Sequence, residues 1–501
     1  MIYKTNKKVK VCDKKDIYIS LLDILFKEGF LPTYSFPRDI VHFWIEKSNG
    51  DIKESPERSI DIAISEYAPG RMIVVNKNSY ISGGLYDHYT KYNKEYSYKA
   101  AEPWLKINEY NKHIYCCTNS NCDWFGLDNK TGYCPLCNSD LIEKIMIKPW
   151  GFVARNGEKV PEVRDSQEYS IASKPSYASV YNDTSNMKNI SKTGLIRMEN
   201  RKDQQLIIIN KGANDEGFDL CTKCGAIDPS ISGDKDKKER KRPYKIPYRE
   251  SKDQQVCLHT RENIFLGYDI LTDMLVLELK LERKYINIDN LNIWVIPGAA
   301  SLAEALVLAA SKVLDIEFSD LKSGYRLRHE ENIVFVDIYI YDSLSSGAGY
   351  ANRVAELIDE VMDEVETRLD ECDCDSSCPN CLENFWNQSI KSDLDRKAAL
   401  QLLNWVRKGK LEKNIDKEEE SKYIDIFREI LNLKNDSSNI IENNNSYYIK
   451  NDICKKKIKI YPAMCSIMQI EDERNTIFIP DRLFKISISD VWNVVKEHID
   501  Y

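Results

Sequence analysis

Histidine is scarce in this chain: there are six among 501 residues, too few for most imidazole-based mechanisms to be assembled. No His-Glu-x-x-His is present to hold a catalytic zinc, and no Gly-x-Ser-x-Gly turn exposes a nucleophilic serine. The His-x-Glu and Pro-Cys-x-x-Cys pair of zinc deaminases is missing too. So is the phosphate-cradling Gly-x-x-x-x-Gly-Lys-Ser/Thr loop. The stretch from Asp363 to Glu366 resembles a helicase acidic box only in letters, because it falls in a helical pattern and lacks that loop as a partner. No run approaches the roughly 18–20 uninterrupted apolar residues of a membrane span. The basic start, Met1 to Lys10, has no apolar core of a secretory signal, and no repeat is visible. These absences lead to the expectation of a cytoplasmic, membrane-free protein without ATPase, protease or deaminase activity of its own.

What is present is cysteine, fifteen residues of it, grouped rather than scattered. In a large chain without a signal, Cys-x-x-Cys pairs read as metal sites before disulfides. Cys372, Cys374, Cys378 and Cys381 place four thiols within ten residues, the number and softness that enclose one tetrahedral Zn²⁺. Four thiolates leave no open position for water and blunt Lewis acidity, so the expected role is structural. Cys117 and Cys122, followed by Cys134 and Cys137, have the two-knuckle layout of a zinc ribbon. Cys116 is adjacent and could replace Cys117 as ligand. A third knuckle, Cys221 and Cys224, needs distant partners, and Cys257 with His259 is the nearby pair of suitable chemistry. Two or three structural zinc ions are therefore expected.

Two other features bear on ligands. Lys235, Lys237, Lys238, Arg240, Lys241, Arg242, Lys245 and Arg249, with Tyr244 and Tyr248 between them, form a basic run. Such a run is a solvated loop or a nucleic-acid contact, in which cations neutralise phosphates and tyrosines stack on bases. The formal net charge of −8 argues against general coating of a polyanion and leaves a local patch open. Gly347 and Gly349 join a strand to a helix start, which permits either a tight turn or an anion contact at free backbone N–H groups.

Periodicity points to an α+β, multi-domain chain, with mixed sheets, helices and small zinc-ribbon modules. The expected segments are an α+β unit at 1–100, a zinc ribbon at 101–150 and a loop-rich module at 151–263. An α/β zinc domain at 264–408 and a small α+β unit at 423–501 follow. A helix is expected after Ile17, and strands are expected at Ile40–Ile45, Ser59–Ile64 and Met72–Val75. Residues 161–200 read as loop. An Ala/Leu-rich helix begins near Ala299 with Ser301 as its cap, and a long helix runs from Ala351 to about Leu369.

Three features carry a resemblance: the stretch Ser301 to Leu306; the strand into Tyr341 through Gly349; and the four-cysteine cluster with Asn384, Asn387 and Leu394 to Arg396. Over about 260–408 they resemble the MrfB-type zinc-binding domain attached to bacterial superfamily 2 DNA helicases. Leu31 to Pro37, the stretch Arg58 to Gly70 and the two upstream knuckles extend the resemblance to DrmB, the helicase-associated subunit of the DISARM antiphage system. Relatives often place a histidine between the knuckle and the following cysteine, an interval without one here. The resemblance implies a non-catalytic, zinc-binding accessory subunit. It would pair with a DrmA-like DNA helicase and bind DNA within the complex, with Cys372, Cys374, Cys378 and Cys381 as zinc ligands. The detached C-terminal half of a DNA-repair helicase is one alternative. A metal-dependent nuclease with an unrecognised site is another.

Overall fold

The computed structural model describes residues 8–10, 18–20, 39–47, 51–87, 101–119, 122, 124–127, 132–134, 137–155, 159, 176–179, 186–230, 257, 259–343, 348–384, 387–433, 438–443, 446–451, 455–470 and 475–499. The helix expected after Ile17 starts instead as the strand Tyr18–Ser20, paired antiparallel with Lys8–Lys10. Residues 21–29, the Leu31–Pro37 motif and the whole 235–249 run lie outside the described residues. The fold is α+β with mixed sheets. Contacts divide it into two units. One comprises Met1–Asn182, Asp203–Thr272 and Leu344–Ser346; the other comprises Asp183–Lys202, Asp273–Ser343 and Gly347–Tyr501.

In the first unit a sheet runs in the order Ile52–Glu54, Ile40–Glu46, Phe152–Ala154, Asn78–Leu85, Met72–Val75. Ile40–Glu46 and Phe152–Ala154 are parallel and the other pairs are antiparallel. Ser59–Ile64, expected as strand, is instead mostly the helix Ile60–Glu66. Ile60, Ala63 and Ile64 are the buried residues, a spacing of three and four that only a helix aims at one face. Residues 161–200 are not all loop either. Ser176–Ser179 is a strand paired with Leu206 to Ile209, and the long strand Ile196–Asn210 has begun by Ile196. The supposedly loop-rich 151–263 also supplies Phe218–Leu220, which pairs with Ile227–Pro229 and with the start of Glu262–Glu282. Leu141–Ile147 lies between antiparallel Asn111–Cys117 and parallel Ile264 to Leu266.

The second unit is built on an antiparallel set in which Met274 to Glu282 pairs with Ile333–Asp342, and that strand with Leu321–Glu330. Leu275, Leu277, Leu279 and Leu281 alternate onto the face that joins the core of helix Val295–Leu314. This helix is the one described segment long and apolar enough to cross a membrane, and its apolarity is explained by burial of 72% of that stretch. It starts before Ala299, with Trp294 as N-cap, so Ser301 is a fully buried interior residue and not the cap. Gly298 permits close approach of helix Arg396–Lys408: an added Cβ would lie 3.3 Å from the Ala398 carbonyl oxygen. The helix expected from Ala351 to Leu369 is two, Tyr350–Glu356 and Ile358–Asp370, broken at Leu357. Helix Lys417–Leu433 and the sheet Asn439–Asn443, Ser446–Lys450, Lys455–Tyr461, Thr476–Pro480 share the same hydrophobic core, through Phe427, Ile458, Ile460, Ile477 and Ile479.

Candidate metal centres

Three groups of four soft ligands form, and in each the ligand atoms lie within 4.8 Å of one another. They are Cys117, Cys122, Cys134 and Cys137; Cys221, Cys224, Cys257 and His259; and Cys372, Cys374, Cys378 and Cys381. A tetrahedron with Zn–S of about 2.3 Å has sulfurs about 3.8 Å apart. The sulfur–sulfur separations, 3.3 and 3.7 Å in the first group, 3.4 Å in the second and 3.5, 3.6 and 3.7 Å in the third, fit that ion. Four donors close each shell, so these are structural zinc sites. Among the described residues, no group with this ligand geometry is built from carboxylates.

The first group hangs on the antiparallel pair Asn111–Cys117 and Leu141–Ile147, where Cys117 opposes Leu141. Strand alternation decides between Cys116 and Cys117. Cys117 packs with Cys122, Trp124 and Cys134, while Cys116 faces the opposite way into Ile114, Phe125 and Met146. Burial pushes the Cys116 thiol up to about 11, so it stays a neutral core residue.

The second group is the most enclosed. Cys221, Cys224 and Cys257 are buried in one cluster with Trp44, Tyr86 and Val153. The knuckle closes by Gly225 N–H to Cys221 O at 2.8 Å and Cys224 N–H to Cys221 Sγ at 3.4 Å. Gly225 has φ +80°, and a Cβ there would come within 2.2 Å of the Leu85 carbonyl oxygen. His259 Nδ1 stands 3.6 Å from Cys221 Sγ and 3.9 Å from Cys257 Sγ, in position to complete a Cys3His shell. The aromatic wall was not legible in the sequence, since Trp44 and Tyr86 are far from the knuckle along the chain.

The third group follows helix Ile358–Asp370. Cys378 O accepts from the N–H groups of Cys381, Leu382 and Glu383 at 3.0–3.1 Å, forming a tight turn. Residues distant in sequence hold this turn in place. Arg396 Nε donates to Cys374 O at 2.6 Å, and its terminal nitrogen donates to Leu369 O at 2.9 Å. Asn387 Nδ2 bridges Leu382 O and Glu304 Oε2, each at 2.9 Å. Burial pushes the Glu304 carboxyl upward, partly offset by its bonds to Asn387 and Ser323. Ser301 Oγ accepts the Asp395 N–H at 2.6 Å, and Asp395 caps the next helix through Ala398 N–H at 3.0 Å. The motif residues around the cysteines are thus the supports that orient the ligands.

At Gly349, where the sequence left open a tight turn or an anion contact, Asp342 occupies the position an outside anion would take. Its carboxylate already accepts from Ala348, Gly349, Tyr350 and Ala351 N–H at 2.5, 2.6, 3.2 and 2.7 Å. The helix-start donors are therefore satisfied within the chain; Gly347 itself lies outside the described residues. The basic residues Lys235 to Arg249 also lie outside them.

Residues 302–382 match the MrfA Zn-binding domain, a stretch that contains Glu304 and all four cysteines of the third group. The resemblance read from the cluster thus stands as MrfA, where the sequence reading took the MrfB type. The Druantia protein DruE of Escherichia coli (strain UMEA 4076-1) is 34% identical over 411 residues. That match takes in 78% of this chain and 22% of DruE, so the chain spans under a quarter of that relative's length. Among solved structures, the DUF1998 helicase MrfA bound to DNA is matched at a TM-score of 0.35 and 12% identity, over 76% of this chain and 38% of that one. Its complex with DNA and AMPPNP is matched at 0.29 and 13%, over 75% and 32%. At these scores the likeness carries no argument about this chain.

Proposed function

We propose that this chain is a non-catalytic, zinc-stabilised accessory subunit that works with a superfamily 2 DNA helicase on DNA, in the cytoplasm, as part of antiphage defence. The observation that carries the reading is the closed coordination of all three clusters: each has four donors within 4.8 Å and no position left for substrate. Zinc here fixes the shape of surfaces, and the surfaces meet partners. The match to the MrfA Zn-binding domain and the identity with DruE support a setting among helicase-linked proteins. In the finer form of the proposal the system is DISARM-like and the partner a DrmA-like helicase, as the motifs from Arg58 to Gly70 and around Cys372 imply. The twelve ligands are those of the three clusters, His259 included.

A second reading is favoured by one observation. The chain matches 22% of a much longer relative, as a piece detached from a larger protein would; in this reading the piece is the C-terminal half of a DNA-repair helicase. Co-expression separates the readings. Capture of this chain should bring down a helicase lacking the zinc domain, and ATPase activity should appear only in the pair. ATP hydrolysis by this chain alone, or cleavage of DNA with Mg²⁺ or Mn²⁺, would overturn the accessory role.

A further inference from the structure

The four-stranded sheet of the last 80 residues presents one face to the core of its unit and a different chemistry on the other. Ile449, Ile458, Ile460, Ile477 and Ile479 point inward. Lys456 shares their parity and donates to the His498 carbonyl oxygen on that side. The alternate residues of the same strands therefore share the outer face. The register places Tyr448 beside Lys457, Lys450 beside Lys455, and Lys459 beside Phe478. Four lysines and two aromatic rings thus lie on adjacent strands, in a chain whose formal net charge is −8. Lys450 and Lys455 are exposed, and Tyr448, Lys457, Lys459 and Phe478 are half-buried. Lys455 Nζ sits 4.5 Å from the centroid of the Tyr448 ring. The Phe478 end is covered by Tyr461, Cys465, Ile470 and Leu411. Glu420, which burial pushes toward its neutral form, is a carboxylate close enough to feel Lys459 and Lys457.

We infer that this face binds single-stranded DNA. The inference rests on the DNA-associated reading above and assigns it a place that the sequence did not. Lys455, Lys457 and Lys459 recur at about 6.6 Å along one strand, a row of cations for successive phosphates. An unpaired base stacks on Tyr448 and displaces the Lys455 ammonium from the ring to the neighbouring phosphate. A duplex offers its phosphates to the lysines but no base face to the ring, so the single strand is the better ligand. An acidic protein surface would use the lysines alone and be indifferent to the tyrosine.

The test is fluorescence anisotropy of the full chain with a labelled oligothymidylate and a duplex of equal length, between about 50 and 200 mM salt. The combined variant Lys455→Gln, Lys457→Gln, Lys459→Gln should lower the slope of log affinity against log salt by about 2. Tyr448→Ala should weaken the single strand about tenfold or more and leave the duplex nearly unchanged. Replacement of the three lysines by arginine should restore the slope, which separates lost charge from lost fold. If the wild type binds DNA and the glutamine variant keeps both affinity and slope, the inference fails while the helicase-associated reading stands. If the glutamine variant loses a co-expressed helicase and keeps DNA, the face belongs to an acidic protein and the inference is overturned. A wild type that binds no DNA, alone or with the helicase, overturns both.

Discussion

The Cys221 and Cys372 clusters use nearly the same ligands and are supported in opposite ways. Around the first, Cys221 is 0% and Cys224 1% exposed, and Trp44, Tyr86 and Val153 belong to the same buried cluster. The ion there takes the place of side-chain volume in the core of its unit. Around the second, Cys372, Cys374 and Cys378 are half-exposed, and polar groups from other elements hold the loop by its carbonyls. That unit has its own large apolar core, centred on helix Val295–Leu314. The same chemistry therefore sits within the packed interior of one unit, beside its apolar core of Phe43, Phe152 and Leu220, and pins a loop to the rim of the core in the other.

Breaking the first site should have the largest effect. Structural zinc contributes about 10–16 kcal/mol in small zinc peptides, comparable to the whole stability of a domain, about 5–15 kcal/mol. Cys224→Ser is expected to abolish cooperative folding of its unit, seen as rapid proteolysis within 39–87. A protease-resistant fragment covering those residues would contradict this. Cys378→Ser should remove one zinc per chain, by metal analysis, yet leave a cooperative unfolding transition in its own unit. Loss of that transition would show that the loop is not an addition to a finished core.

Arg396→Met sharpens the contrast without touching a ligand. It removes charge-assisted hydrogen bonds to Cys374 O and Leu369 O, a loss of about 3 kcal/mol. It should also speed zinc release from the Cys372 site to a chelator, with the Cys221 site unaffected. Equal release from both sites would argue against an outer clamp.

What was legible in the sequence follows from how local each signal is. The cysteine clusters were readable because a knuckle is made by neighbours, as Cys378 O shows by accepting from Cys381, Leu382 and Glu383. The helix at Ile60–Glu66 was misread because Ile60, Ile62 and Ile64 also alternate like a strand, and only packing decides which set is buried. Ser301 looked like a cap because it is a serine near a helix start. Its partner, the Asp395 N–H, is too far along the chain for local pattern to reveal. Asp342 was missed for the opposite reason: its partners are near, but the sequence left the turn open to either a tight turn or an outside anion and named no acceptor within the chain. The lysine face at 455–459 is written plainly in the sequence, but only the register puts Tyr448 beside it.

The smallest effect is expected at Cys116→Ala, about 1 kcal/mol with no loss of zinc, since strand parity turns that thiol away from the Cys117 site. Loss of a zinc ion there would reverse the choice between the two cysteines.

The central claim is that all three clusters are closed, structural zinc sites. It is tested most directly by zinc X-ray absorption on the purified chain, with the metal content measured on the same sample. The account predicts three zinc ions per chain, all four-coordinate, sharing eleven sulfurs and one imidazole nitrogen at Zn–S of about 2.3 Å. Fewer than three ions, or an oxygen shell from bound water, would contradict it.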